Sequence, residues 1–244
     1  MNSRIVKLTG LMILAVLQMN QAQADVHFQS NSQQTQLLEL FTSQGCSSCP
    51  PAEHWLEQFT KSPKLWSQMI PIALHVDYWD DLGWKDPFAN ITNSQRQRAY
   101  QQAGRVGGVY TPGFVVNGQE WRGWFDQQSL PNLSGNTGIL QATAKNKQLI
   151  VEYSGQNEPL VLHAALLGFG LKTNVSHGEN RQRVLAEDFV SLAQTSSQSI
   201  NNHWQLKIPT TTMTAERYGL AMWVERPTQI APIQATGGWF TPER

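Results

Sequence analysis

The sequence predicts an α/β layer with parallel pairing, followed by a mostly antiparallel β-rich part. Three observations carry this. Short apolar runs alternate with helix-prone segments up to about residue 120. A break rich in Ser, Asn, Gly and Pro spans 129–138. Beyond it, runs that alternate apolar and polar residues recur with few convincing helices between them.

The first 24 residues read as a secretory signal. Arg4 and Lys7 give a positive start, Leu8 to Leu17 form a short apolar run, and Ala22-Gln23-Ala24 fits a small-residue cleavage site. The run falls short of the roughly 20 apolar residues needed to span a bilayer, which disfavours an uncleaved anchor. The expected protein is therefore exported, periplasmic or secreted, after cleavage near Ala24. A polar lead-in over 25–36 comes next.

From Leu37 to Phe41 a short buried strand is expected, then a loop through Gly45 and a helix over Ala52 to Phe59 with Trp55, Leu56 and Phe59 on one side. Met69 to Val76 reads as a second strand. Asp77 to Asn90 is a loop, and Thr92 to Ala103 a polar helix stopped by Gly104. Phe114-Val115-Val116 enters a hairpin turn at Asn117-Gly118. These elements define a unit over 37–135. Strands at Gln148 to Ser154, Leu160 to Gly168, His203 to Ile208 and Leu220 to Glu225 define a β-rich, sandwich-like unit over 140–244.

Composition narrows the function classes. Apolar residues make up 40% and charged residues 15%, enough for a core and too apolar for a disordered chain. Lys plus Arg and Asp plus Glu number 18 each, without a basic cluster, so there is no electrostatic case for nucleic acid. No segment is suited to stable membrane insertion.

Only two cysteines exist, in Cys46-Ser47-Ser48-Cys49. A bridge across two intervening residues closes a very small loop and constrains the unfolded chain little, so the spacing favours chemistry over stapling. The thiolate is the nucleophile of disulfide exchange, and a helix N-terminus favours its charge. Cys46, farther from the helix, is expected to attack, and Cys49 to resolve the mixed disulfide. Ser47 and Ser48 bring hydroxyls but no positive charge. A structural zinc site wants four ligands, and beyond the pair only His54 and His75 could assist, with nothing to show that they converge. No organic cofactor is implied. A partner would be a cysteine-containing protein or a small thiol.

Several strings resemble one known family. Glu39-Leu40-Phe41-Thr42-Ser43-Gln44-Gly45-Cys46-Ser47-Ser48-Cys49-Pro50-Pro51-Ala52, His75-Val76-Asp77-Tyr78-Trp79-Asp80, Leu82-Gly83-Trp84-Lys85-Asp86-Pro87-Phe88, Gln97-Arg98-Ala99-Tyr100, Val109-Tyr110-Thr111-Pro112 and His177-Gly178-Glu179-Asn180 are similar to the secreted thioredoxin-like family known as domain of unknown function 1223. The resemblance implies a thioredoxin-like domain over 37–135. It also implies a cis Pro112 facing the cysteine pair, and backbone groups of Thr111 offered to an extended substrate chain. Glu39 resembles the buried acid that serves thioredoxins as a proton relay; an edge or surface glutamate is the competing reading. Pro50 and Pro51 depart from ordinary thioredoxins: either the helix starts near Pro50, in which case Cys46 stands off its end and is less activated, or its first turn is distorted.

The functional reading is an extracytoplasmic thiol–disulfide oxidoreductase. The alternative is a non-catalytic binding module whose cysteines hold a protein partner or a soft metal such as Cu(I). Trp79, Trp84 and Phe88 read as loop packing rather than a substrate lip. Asp77, Asp80, Asp81 and Asp86 read as solvated loop charges, and His54 as a helix-surface residue.

Overall fold

A computed structural model describes residues 24–132 and 135–242, so the expected signal lies outside the described residues except for Ala24. In chain order the elements are β1 (Val26–Gln29), β2 (Gln36–Thr42), α1 (Pro50–Glu57), β3 (Met69–His75), α2 (Ile91–Gln102), β4 (Gly113–Val116), β5 (Gln119–Glu120), β6 (Leu140–Lys145) and β7 (Gln148–Tyr153). They continue with β8 (Leu160–Phe169), β9 (Leu171–Asn174), β10 (Val184–Glu187), β11 (Val190–Ser199), β12 (His203–Lys207), β13 (Arg217–Arg226) and β14 (Gln229–Phe240).

The α/β, thioredoxin-like fold class does not hold: the structure is mostly β, with 43% strand and 12% helix. The alternation β2–α1–β3–α2–β4 is present locally. However, its strands are absorbed into one eight-stranded sheet of order β14-β13-β8-β11-β3-β2-β4-β5. Within it only β2 with β3 and β3 with β11 run parallel. A four-stranded sheet, β1-β6-β7-β12, and the β9–β10 pair complete the pairing.

The large sheet contains strands from both sides of residue 140, and burial explains why. Leu160, Leu162, Ala164 and Leu166 of β8 pack into one core with the four-stranded sheet. Ala165, Leu167 and Phe169 of the same strand pack into the other, with β2, β3 and α1. β13 divides likewise, Leu220, Met222 and Val224 against Ala221 and Trp223. A near-continuous apolar run is what a strand covered on both faces requires. Each fully buried leucine contributes roughly 1.5–3 kcal/mol by removal from water, so both layers hold these strands in place.

Two details position the site. α2 buries a polar face: Asn93, Ser94 and Gln97 bond the His75 carbonyl, Asp77 and the Tyr110 carbonyl. The helix thus brackets the 76–90 loop and the chain leading to Thr111. The Asn117-Gly118 turn joins β4 to β5 with both residues at positive φ, 47° and 77°, the geometry such a two-residue hairpin demands.

Candidate functional site

Cys46 and Cys49 form a disulfide at the start of α1. The helix begins at Pro50, with Cys49 as its N-cap and prolines in its first two positions. Proline is tolerated there because those N–H groups would have no helical partner. The next two, from Ala52 and Glu53, donate inward to the Cys49 carbonyl at 2.9 and 3.1 Å. Cys46 therefore stands one turn ahead of the helix.

Both cysteines are buried, at 1% and 0% exposure, while Ser47 and Ser48 face solvent. Ser48 Oγ lies 3.3 Å from Cys46 Sγ. The rest of the loop is tied down from the 177–180 segment between β9 and β10. The Ser47 N–H donates to Glu179 at 2.8 Å, and hydrogen bonds from Ser47 hold the Glu179 carboxyl below its usual range. Asn180 Nδ2 donates to the Gln44 and Cys46 carbonyls, both at 2.9 Å. Arg183 fixes Asn180 in turn, at 2.7 Å from Oδ1.

The Thr111–Pro112 peptide is cis. Trp79 links it to the cysteine loop: its indole N–H donates to Thr111 Oγ1 at 2.8 Å, and its Cβ lies so close to Gly45 that a side chain there would meet it at 3.2 Å. Trp84 donates to Gln44 Oε1 at 3.1 Å. Phe88 packs edge-on against His75. The loop aromatics thus brace the segment that carries the cysteines.

Glu39 is fully buried on β2, with both oxygens engaged. Arg96 Nε donates to Oε1 at 2.5 Å and the Tyr100 hydroxyl to Oε2 at 2.6 Å. Arg96 also faces Glu225 at 3.3 Å and lies 5.1 Å from the ring centroids of Tyr100 and Trp223. Glu39 is thus held in a buried ion pair, and the acid placed one helical turn beyond Cys49 is Glu53.

Glu53 belongs to a buried polar cluster that residue-by-residue reading of the sequence missed. Its Oε1 accepts from Thr42 Oγ1 at 2.5 Å. Burial raises its carboxyl above the usual range despite nearby His75. His75 Nδ1 donates to Asp86 Oδ2 at 2.7 Å. Burial alone would lower the His75 pKa, but Asp86, Glu187 and Glu53 outweigh this and raise it to about 9. Burial, reinforced by Glu53 and Asp86, pushes Glu187 up to about 8. For Asp86 the burial effect is outweighed by His75 and by backbone donors, so it stays below its usual range. Asp86 is therefore no solvated loop charge. One ligand-type atom from each of Glu53, His75 and Glu187 lies within 4.8 Å of the other two. Acids at 53, 86 and 187, the last more than a hundred residues from the others, leave no spacing motif; the one signal was His75 at the end of an apolar strand.

No curated protein matches the chain by sequence. Two solved structures share its fold. A crystal structure of protein AGR_C_4864 from Agrobacterium tumefaciens is 22% identical, covering 86% of this chain and 97% of that one at a TM-score of 0.59. HBP35 of Porphyromonas gingivalis is 14% identical, covering 86% of this chain and 76% of that one at 0.54. The family described as "Protein of unknown function (DUF1223)" matches residues 37–225, and with that extent matched the chain belongs to this family.

Proposed function

We propose that the protein is an exported thiol–disulfide oxidoreductase acting through Cys46 and Cys49. The observation that supports this best is the disulfide itself: it bridges adjacent turns at a helix start, where it adds little stability. In the reducing direction, the Cys46 thiolate attacks a partner disulfide, forms a mixed disulfide, and displaces one partner sulfur as a thiol. Cys49 then attacks the Cys46 sulfur, closing the bridge and releasing the second partner thiol; two electrons and two protons pass to the partner. In this reading Thr111, tied to the cysteine loop through Trp79, and Pro112 align the partner chain. With Cys46 buried at 1% exposure, exchange needs the Glu179 and Asn180 contacts to loosen. Export rests on the leader-like residues 1–24.

The same burial favours the second reading, a non-catalytic binding module with the bridge kept closed or, when reduced, a Cu(I) site. A glutathione redox titration, run beside Cys49→Ser to trap mixed disulfides, separates the two. A potential between about −270 and −120 mV with trapped partners supports the oxidoreductase. A potential below about −300 mV without trapping supports the module, and copper bound by the reduced protein identifies its metal form.

A further inference from the structure

We propose that Glu53, His75 and Glu187 form a binding site for a first-row divalent cation such as zinc or manganese, distinct from the cysteine pair. The three come from α1, β3 and β10. Their side chains are buried, and their ligand atoms lie within 4.8 Å of one another.

Two atoms in the cluster are unsatisfied. His75 Nε2 and Glu187 Oε1 are buried without a hydrogen-bond partner and face each other at 4.0 Å. Such orphaned atoms are rare in folded proteins, and a bound ion is one of their standard explanations. The donor set agrees: three carboxyls, from Glu53, Asp86 and Glu187, surround one imidazole, the oxygen and nitrogen groups that such ions take.

Each ligand is oriented from outside. His75 Nδ1 is held by Asp86 at 2.7 Å, so the ring presents Nε2 to the two glutamates. Asp86 is fixed by the Gln44 and Phe88 N–H groups at 2.8 and 2.9 Å. Gln44 Nε2 holds Glu187 Oε2 at 2.7 Å, leaving Oε1 free, and Thr42 holds Glu53 Oε1. A carboxylate behind a histidine is the usual support of a metal-bound imidazole.

The dimensions suit a small ion. Ligand bonds of about 2.0–2.2 Å put tetrahedral donor atoms about 3.4 Å apart. The 4.0 Å separation of His75 and Glu187 closes by about 0.6 Å through small side-chain rotations. Nitrogen and oxygen donors select borderline or hard divalent ions rather than Cu(I). The bound ion would tie the cysteine-bearing helix to the β9–β10 hairpin.

The test is metal content and affinity of the purified protein, equilibrated with Zn²⁺ or Mn²⁺ and passed through a desalting column. About one ion per chain is expected. Glu187→Gln should abolish stoichiometric binding, and Asp86→Asn should weaken it about 10- to 100-fold. A Cys46→Ser/Cys49→Ser variant should keep the ion. Should the buried variants fail to fold, Co²⁺ loading of the wild-type protein decides: visible ligand-field bands without thiolate charge transfer are expected. Wild type holding well under one ion per chain, or binding that is lost with the cysteines, overturns the proposal.

Discussion

Replacing Glu39 by glutamine separates its two readings, ion-pair anchor and proton relay. The carboxylate accepts from Arg96 at 2.5 Å and from Tyr100 at 2.6 Å, with no exposure of its side chain. Glutamine keeps the shape but loses the charge and one acceptor oxygen; with its oxygen kept toward the guanidinium, its NH₂ faces the Tyr100 hydroxyl, which must then turn to accept and gives up its own acceptor. Loss of one partner of a buried ion pair costs about 3–5 kcal/mol. Glu225, 3.3 Å from Arg96, still offsets the stranded charge, so the lower end, about 3 kcal/mol, is expected. For a chain of this size that lowers Tm by about 6–12 °C. Calorimetry and guanidinium denaturation of the oxidised protein measure it, with a redox titration of the same variant in parallel. A loss below about 1 kcal/mol, with the potential moved by about 30 mV or more, would refute the anchor and restore a role in the cysteine chemistry. The Glu39→Gln/Arg96→Met double variant should lose less than the sum of the two single changes, since the pair acts as a unit.

Asn180→Ala removes two hydrogen bonds from the cysteine loop; each is worth about 0.5–1.5 kcal/mol, so reduction of the disulfide by excess dithiothreitol should accelerate by about 5- to 150-fold. An unchanged stopped-flow rate would mean that reagent reaches the sulfur without loop opening. For Glu225, burial acts to raise the carboxyl, but Arg96 and His163 outweigh it and hold it below 4.5. Near that value the unfolded chain binds more protons than the folded one, so stability rises with pH. This contribution is complete above about pH 4.5 and is lost as pH falls through the lower folded value; Glu225→Gln should flatten the acid limb of a denaturation series, and an unaltered limb would count against the pairing. Gly118→Ala should destabilise by about 1–3 kcal/mol, because its φ is 77° and a Cβ would come within 2.6 Å of Ala231 Cα; a variant as stable as wild type in urea would show that the hairpin can move away.

Local structure was legible where it is set by local chemistry. The helix expected over Ala52 to Phe59 begins at Pro50, one of the two outcomes the prolines after Cys49 left open, and Asn117-Gly118 announced a hairpin. What the sequence did not display was how strands far apart would pair. β2–α1–β3–α2–β4 reads as an α/β layer because the alternation is real; the fold class is decided by β11, which places the antiparallel strands beside β3. β11 is Val190–Ser199, largely Ser, Gln and Thr after its first residues, and so lacks the apolar alternation that marks a strand. The site was similarly half visible. Cys46 and Cys49 stand out by spacing, whereas Glu53, Asp86 and Glu187 look like ordinary surface acids until the fold buries them around His75. Glu39, a charge in an apolar strand, was conspicuous, but its partner Arg96 lies on a helix that carries no apolar stripe.

The groups around the sulfurs bear on the direction of the proposed exchange. A potential near −120 mV belongs to pairs whose reduced form is strongly stabilised, and one near −270 mV to pairs where it is not. Stabilising a thiolate takes aligned N–H donors or positive charge. Here Pro50 and Pro51 remove two donors, the Ala52 and Glu53 N–H groups point to the Cys49 carbonyl, and the Ser47 N–H is taken by Glu179. What stands beside Cys46 is the Ser48 hydroxyl at 3.3 Å and, on the neighbouring residue, an anionic carboxylate. This arrangement favours the closed disulfide and a potential toward the reducing end. As an oxidoreductase the protein would then serve better as a donor of electrons, or in rearranging bridges, than as an oxidant. A measured value near −120 mV would mean that opening the loop brings the sulfur donors that the closed form withholds.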